Sequence, residues 1–179
     1  MLGLVFNELL NVIEDSNGAE YLENLLQSGE ISSGGAYTNV GNYDVDEMLF
    51  LVSELSISKK IKVSILLEKF GIHLSNVFYR KYPEFFKNKD FKEFLANLDS
   101  HIHSHVRGLY PGANPPRFTF REVSEFQFEL HYQSKNSFES FAKGLLIGCA
   151  NTFGEAIGIE IYNNSPGNSL FKIEVQNER

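Results

Sequence analysis

The sequence predicts an α+β fold, helical over its first two-thirds and running β-β-α-β-β over its last third. Three observations carry this. Apolar residues recur at helical spacing in successive blocks from residue 4 to residue 109. The spacing then drops to two in RFTFREVSEFQFELHYQS, where Phe118, Phe120, Phe126, Phe128, Leu130 and Tyr132 alternate with polar residues. Two more alternating runs, AIGIEIYNN and SLFKIEVQ, flank the turn signal SPGN.

Each element follows in order. Residues 4–14 place Leu4, Val5, Leu9 and Ile13 at helical spacing, and 18–28 form a second predicted helix. GEISSGGAYTNVGNYD, rich in Gly, Ser and Asn, reads as a loop. Asp44 or Asp46 caps a helix over 45–56. Helices over 59–71, closed near Gly71, and over 73–81, before Pro83, come next. The clearest helix is DFKEFLANLDSHIHSHVRGLY: Phe91, Leu95, Leu98, Ile102, Val106 and Leu109 form one stripe at about 100° per residue. Pro111 and Gly112 end it. Two strands with a turn near Ser124 follow, then a helix over 137–154 and the closing hairpin. A seam lies near 83–90, but the long helix packs against both sides of it. One domain over 1–179 is therefore expected, with a helical part at 1–83 and an α/β part at 84–179.

Composition narrows the function. Apolar residues make up 42% and 16 are Phe, enough for a substantial core. At this length about two-thirds of the unfolded surface is buried. The formal net charge is −7, from 16 Lys and Arg against 23 Asp and Glu, and no basic run stands out. That argues against a nucleic-acid partner. No stretch reaches the ~20 apolar residues that span a bilayer. MLGLVFNELLNVIED carries acids and no basic leader, so it reads as a helix of the domain and not a signal peptide. A cytoplasmic protein with no membrane partner is expected. The one cysteine, Cys149, cannot form an internal disulfide and reads as a small buried hydrophobe. No nucleophile–base pair, phosphate loop or paired-carboxylate signature is present, so an enzyme is not expected.

The stretch SHIHSHVRGLYPGANPPRF holds three of the five histidines, at alternate positions. On a wheel with Phe91 at zero, His105 falls about 40° away, within the apolar stripe, and His103 about 120° away. His101 and His105 are i,i+4 neighbours, a spacing that suits a metal. No third ligand is apparent. Helical periodicity thus selects His105 for burial and leaves His103 unexplained.

His103 is followed by Pro115-Pro116-Arg117-Phe118 and then by HYQSKN at 131–136. In this order the chain resembles the H-NOX family, the heme nitric oxide/oxygen-binding domains related to the heme domain of soluble guanylate cyclase. The family carries an axial His, twelve residues on a Pro, and then a Tyr-x-Ser-x-Arg motif. MLGLVFNELL and LDSHIH are similar to family members too, and the similarity covers essentially the whole chain.

The resemblance implies a heme b, Fe-protoporphyrin IX, lying between the helical and sheet-containing parts. His103 is implied as the proximal iron ligand, since imidazole suits ferrous iron and leaves the opposite face open to a gas. Asp99 or a backbone carbonyl would orient its other ring nitrogen. Pro116 would press on the porphyrin. Tyr132 and Ser134 would hold the propionates through their hydroxyls, sharing one strand face with position 136. Here the chain departs from the family: Asn136 stands in place of Arg. An amide bonds a propionate without neutralising it, so retention weakens by about 1–2 kcal/mol per lost bond. Lys135 points to the other face of a regular strand, and Lys143 and Arg107 are candidate substitutes.

By the same resemblance Val5, Leu9, Leu74, Phe78, Phe141 and Leu145 form the distal wall. Oxygen-binding members have a Tyr at the place assigned to Phe141, and Phe offers no donor. His73, beside Leu74, would add a ligand or a donor if turned inward. The implied function is a gas sensor binding nitric oxide and carbon monoxide rather than stable oxygen. It would signal to a separate protein, a histidine kinase or a cyclic-di-GMP enzyme as in related bacterial systems. Two other readings stay open: a heme-free relative that keeps the fold for protein interaction or another ligand, and a metal site on His101 and His105.

Overall fold

The computed structural model describes residues 1–29, 31–110 and 112–176. Its first half is helical: α1 (Gly3–Asn17), α2 (Ala19–Gln27), α3 (Val45–Lys59) and α4 (Val63–Lys81). Asp44 caps α3, accepting from the Asp46 amide at 3.1 Å. The loop before α3 is fastened by a buried carboxylate. Glu47, 7% exposed, accepts from the Ser32 hydroxyl at 2.5 Å, the Ser33 hydroxyl at 2.6 Å, the Ser33 amide at 3.1 Å and the Tyr37 hydroxyl at 2.7 Å.

Two helices were expected on either side of Gly71, and one unbroken α4 is found. Gly71 is there for closeness and not for a stop. A Cβ on it would lie 2.4 Å from the Phe141 carbonyl oxygen of α7 (Glu139–Thr152). The contact is reciprocal: a Cβ on Gly144 would lie 2.0 Å from the Glu68 carbonyl, and one on Gly148 1.9 Å from the Ser75 hydroxyl. A glycine inside a helix costs about 1 kcal/mol relative to alanine, and here that cost lets two backbones touch.

The long helix expected from residue 90 to 110 is interrupted. α5 (Phe91–Ala96) starts on a capping box between Asp90 and Glu93. A π-helical turn, Leu98–His103, follows, with the Ile102 amide donating to the Asn97 carbonyl five residues back. α6 (Ser104–Leu109) completes the segment; Pro111, expected among its terminators, lies outside the described residues. The wide turn rotates everything after it. Phe91, Leu95 and Leu98 are buried as the stripe predicts, but Leu109 is 55% exposed. His105, expected on the buried stripe, is exposed.

The sheet holds β1 (Arg117–Ser124), β2 (Gln127–Gln133), β3 (Ala156–Ser165) and β4 (Asn168–Gln176), all antiparallel in the order β1-β2-β4-β3. A register shift between Glu122 and Ser124 marks the first turn. β2 stops at Gln133, short of the expected run to 136. The Ser134 amide instead donates to the Gly167 carbonyl at 2.8 Å.

Two apolar cores result. The helical core gathers Phe6, Leu9, Ile13, Met48, Leu51 and Leu74. The sheet core gathers Phe94, Leu95, Leu130, Tyr132, Phe171 and Ile173. α7 feeds both, with Phe138 and Phe141 in the first and Ala142, Leu146, Cys149 and Ala150 in the second. Cys149 is buried as expected, and burial pushes its thiol up to about 12. No helix of the described residues is long and apolar enough to cross a membrane.

Candidate functional site

The π-turn decides which of the three histidines is turned inward. Its extra residue turns the His103 ring, which helical spacing left unexplained about 120° from Phe91, inward, leaving the side chain 16% exposed. There Nδ1–H donates to the Pro116 carbonyl oxygen at 2.9 Å. A carbonyl only accepts, so Nδ1 carries the proton and Nε2 keeps its lone pair. No partner for Nε2 is found among the described residues. Burial pushes His103 down to about 4, against the opposing pull of the Pro116 carbonyl and of Asp99. The ring is therefore neutral at physiological pH, the form in which imidazole ligates a metal. Of the two orienting groups expected for Nδ1, the backbone carbonyl is the one in place; the Asp99 carboxylate lies 3.8 Å away.

The strand after Pro116 links this ring to the other end of the site. Phe118 packs on His103 with centroids 5.7 Å apart, and on Tyr132 at 5.5 Å. Sequence reasoning passed over Phe118 as a strand residue, although its place in the alternation put it on the inner face with Tyr132. Tyr132 is 1% exposed, and its burial raises the phenol. Its hydroxyl donates to the Asn136 carbonyl at 3.2 Å, and the Ser134 hydroxyl accepts from the Asn136 amide at 3.2 Å. Tyr132, on β2, thus meets Asn136 in the bend just past the strand's end, with Ser134 between them, and the three do not share one strand face as the alternation predicts.

The expected substitute cations are engaged elsewhere. Lys143 pairs with Glu68 at 3.0 Å, and Arg107 reaches Asp99 at 3.5 Å. Partial burial raises the Asp99 carboxyl, and Arg107 and Arg117 outweigh it, holding the group below its ordinary value. Lys135 and Asn136 are exposed. Among the described residues no cation is bonded to Tyr132 or Ser134.

The residues assigned to the distal wall share the helical core. Val5, Leu9, Leu74 and Phe141 are buried in it, and Phe78 and Leu145 pack against it. Phe141 stacks on Phe70 at 5.5 Å. His73 lies beside Phe70, and its Nε2 lies 3.7 Å from the Glu8 carboxylate, too far for a hydrogen bond, and has no hydrogen-bond partner among the described residues. Two hollows lie elsewhere: one over α2 by Ala19, Leu22 and Leu26, the other between α4, α7 and β3 by Ser64, Lys143 and Ile159.

His101 and His105 are both exposed, and His105 meets Phe85 edge-on at 5.4 Å. Among the described residues no group of three or more His, Cys, Asp or Glu side chains is arranged to hold a metal ion. The donor set therefore fits a group that brings its own remaining ligands, with one imidazole from the protein. A tetrapyrrole iron does this. The propionate end fits less well, for want of a cation.

Comparison with known proteins agrees. Residues 2–161 match the family model described as haem-NO-binding. The Fe(II) unliganded H-NOX protein from K. algicida is 29% identical, covering 99% of this chain and 98% of that one, at a TM-score of 0.92; its A71G variant is 30% identical at 0.93. H-NOX from Shewanella woodyi, solved IWP-051-bound in the Fe(II)CO ligation state, is 41% identical over 97% of this chain and 94% of that one, at 0.84. An H-NOX protein from S. oneidensis in the Fe(II)NO state shares the fold at 23% identity and 0.88, covering 99% of this chain and 100% of that one. No curated protein matches. With the family model spanning nearly the whole sequence, the chain belongs to the haem-NO-binding family, the H-NOX domains of heme-based gas sensing.

Proposed function

We propose that this chain senses a diatomic gas at a ferrous heme b, taking nitric oxide and carbon monoxide and not holding oxygen stably. The observation that carries the reading is the 2.9 Å bond from His103 Nδ1 to the Pro116 carbonyl. It presents a neutral, oriented imidazole with Nε2 free. When bound, a heme would supply a ferrous iron able to take a diatomic gas, with His103 as the protein's ligand to it.

The chain's own residues do the rest. Val5, Leu9, Leu74, Phe78, Phe141 and Leu145 exclude water from the gas side. Phe141 has no hydroxyl to donate to bound oxygen, so the wall favours ligands that need no such bond. Pro116 holds the ring and stands against the porphyrin. Tyr132 and Ser134 exchange their bonds with Asn136 for the propionates. If the iron bond to His103 were lost, the Nδ1 bond to Pro116 would keep the ring with the π-turn, and that segment would carry the change. A separate partner reads that change; a histidine kinase or a cyclic-di-GMP enzyme is the class the family resemblance implies. Coupling of this kind needs one conformation to bind the gas better, typically by about 1–3 kcal/mol.

Absorption spectroscopy tests this. The purified chain, given hemin and reductant, is expected to show a Soret band that shifts with nitric oxide. His103→Ala abolishes the band while His101→Ala and His105→Ala keep it. A chain that stays colourless after hemin addition refutes the reading. The second reading, a heme-free relative serving protein interaction or another ligand, is favoured by one observation: the uncharged Asn136, with no cation on Tyr132 or Ser134 among the described residues. Heme loss from an Asn136→Arg variant that is no slower than from the unsubstituted chain would remove that support.

A further inference from the structure

Asp99 sits in the π-turn four residues before His103, yet it is not the ring's hydrogen-bond partner. Its role lies with two arginines. Arg107 reaches back from α6, with Nη2 3.3 Å from the Asp99 carbonyl oxygen and 3.5 Å from Oδ2, and Nη1 3.5 Å from Oδ1. Arg117, the first residue of β1, places Nη1 3.3 Å from Oδ2. One carboxylate thereby joins the π-turn, α6 and the start of the sheet.

The two ends of the turn are tied to the same short stretch of chain. His103 donates to Pro116, and Asp99 pairs with Arg117, the next residue. A single hydrogen bond lets a ring swing about its axis; two parallel ties do not. A π-turn is rare and occurs mostly as a single turn within a helix, so contacts from outside it help to set its place. Each arginine contact is long, and the Arg117 side chain is 63% exposed, so neither alone is worth much. Their common carboxylate makes them one unit.

We propose that Asp99 is a positioning residue for His103: by holding the π-turn to α6 and β1 it fixes the direction of Nε2 and sets how readily the imidazole leaves a bound heme. The second half rests on the heme reading; the first does not. Removing the carboxylate frees the turn and leaves two guanidinium groups uncompensated beside the ring.

The test uses the heme-free and heme-loaded full chain. By NMR, Asp99→Asn is expected to speed exchange of the His103 Nδ1 proton and to give the ring more than one environment. In the loaded chain, heme transfer to apomyoglobin should be about tenfold faster, the usual size of an outer-ligand effect, and the iron–histidine stretch should move to lower frequency. Asp99→Glu restores both in part. Arg117→Gln removes one arm only, and serves if Asp99→Asn does not fold. Glu129→Gln, which breaks the Arg121–Glu129 pair of the same sheet, changes none of these readouts. Unaltered His103 signals in heme-free Asp99→Asn overturn the positioning role, whether or not the chain takes heme. Altered signals with unaltered transfer and stretch overturn its effect on release.

Discussion

The α4–α7 crossing and the π-turn around His103 hold this molecule together in opposite ways. At the crossing backbone lies on backbone. Gly71, Gly144 and Gly148 leave no room for a methyl group, and the pair fixes how the helical core sits on the sheet core. At the π-turn the contacts are polar, few and partly exposed: one ring-to-carbonyl bond and one carboxylate between two arginines. The first is built to stay put, because close-packed backbones cannot shift by small steps. The second rests on few polar contacts, and it is the arm that the proposed sensing mechanism would move against the fixed frame.

This contrast can be broken experimentally, and the largest effect is expected at the crossing. Gly144→Val forces branched carbons into the Glu68 carbonyl and should cost about 3 kcal/mol in urea unfolding, the upper end for overpacking. A loss under about 0.5 kcal/mol would be that of an ordinary surface site, and would show that the helices can part freely.

The helical frame is also fastened at Glu47, and Glu47→Gln should cost about 2 kcal/mol, because four donors lose a charged acceptor. Burial raises this carboxyl, but Ser32, Ser33 and Tyr37 outweigh it and hold the group below its ordinary 4.5. The unfolded chain therefore takes up the proton first. The stabilisation is intact above pH 4.5 and falls away below it, as pH drops through the lowered value. The acid arm of the unfolding curve should flatten in Glu47→Gln; an unchanged arm would assign the acid sensitivity elsewhere.

The smallest effect is expected at Leu109, and set beside Leu95 it sharpens the account of the π-turn. Leu95, 1% exposed before the turn, should lose about 3 kcal/mol on truncation to alanine. Leu109, 55% exposed after it, should lose less than about 0.5 kcal/mol. A straight helix would have charged both changes alike, so equal losses in chemical denaturation would contradict the rotation.

Much of this was legible in the residues. The period-two runs at Phe118–Tyr132 and in the last hairpin announced the strands, because alternate side chains must enter one face. Asp44 was legible as a cap, Cys149 as core, and the order of His103, Pro116, Tyr132 and Ser134 pointed to the family. Other features were hidden for physical reasons. Gly71 read as a stop because an isolated helix gains nothing from a glycine; only the Phe141 carbonyl on the neighbouring helix explains it. Phe91 to Leu109 read as one helix because a wheel assumes equal rotation per residue, and a π-turn breaks that assumption without any change of residue type. Asn136 read as a strand residue because alternation does not say where a strand ends.

The order of residues by itself determined the α+β layout, the apolar faces before the π-turn and the family, since these depend on local spacing and on motifs carried by the chain. Which histidine is turned inward, which carbonyl holds it and which arginines clasp Asp99 were decided only when the π-turn met β1. Those contacts join residues eight to eighteen positions apart, and no local propensity encodes the angle at which two such segments meet.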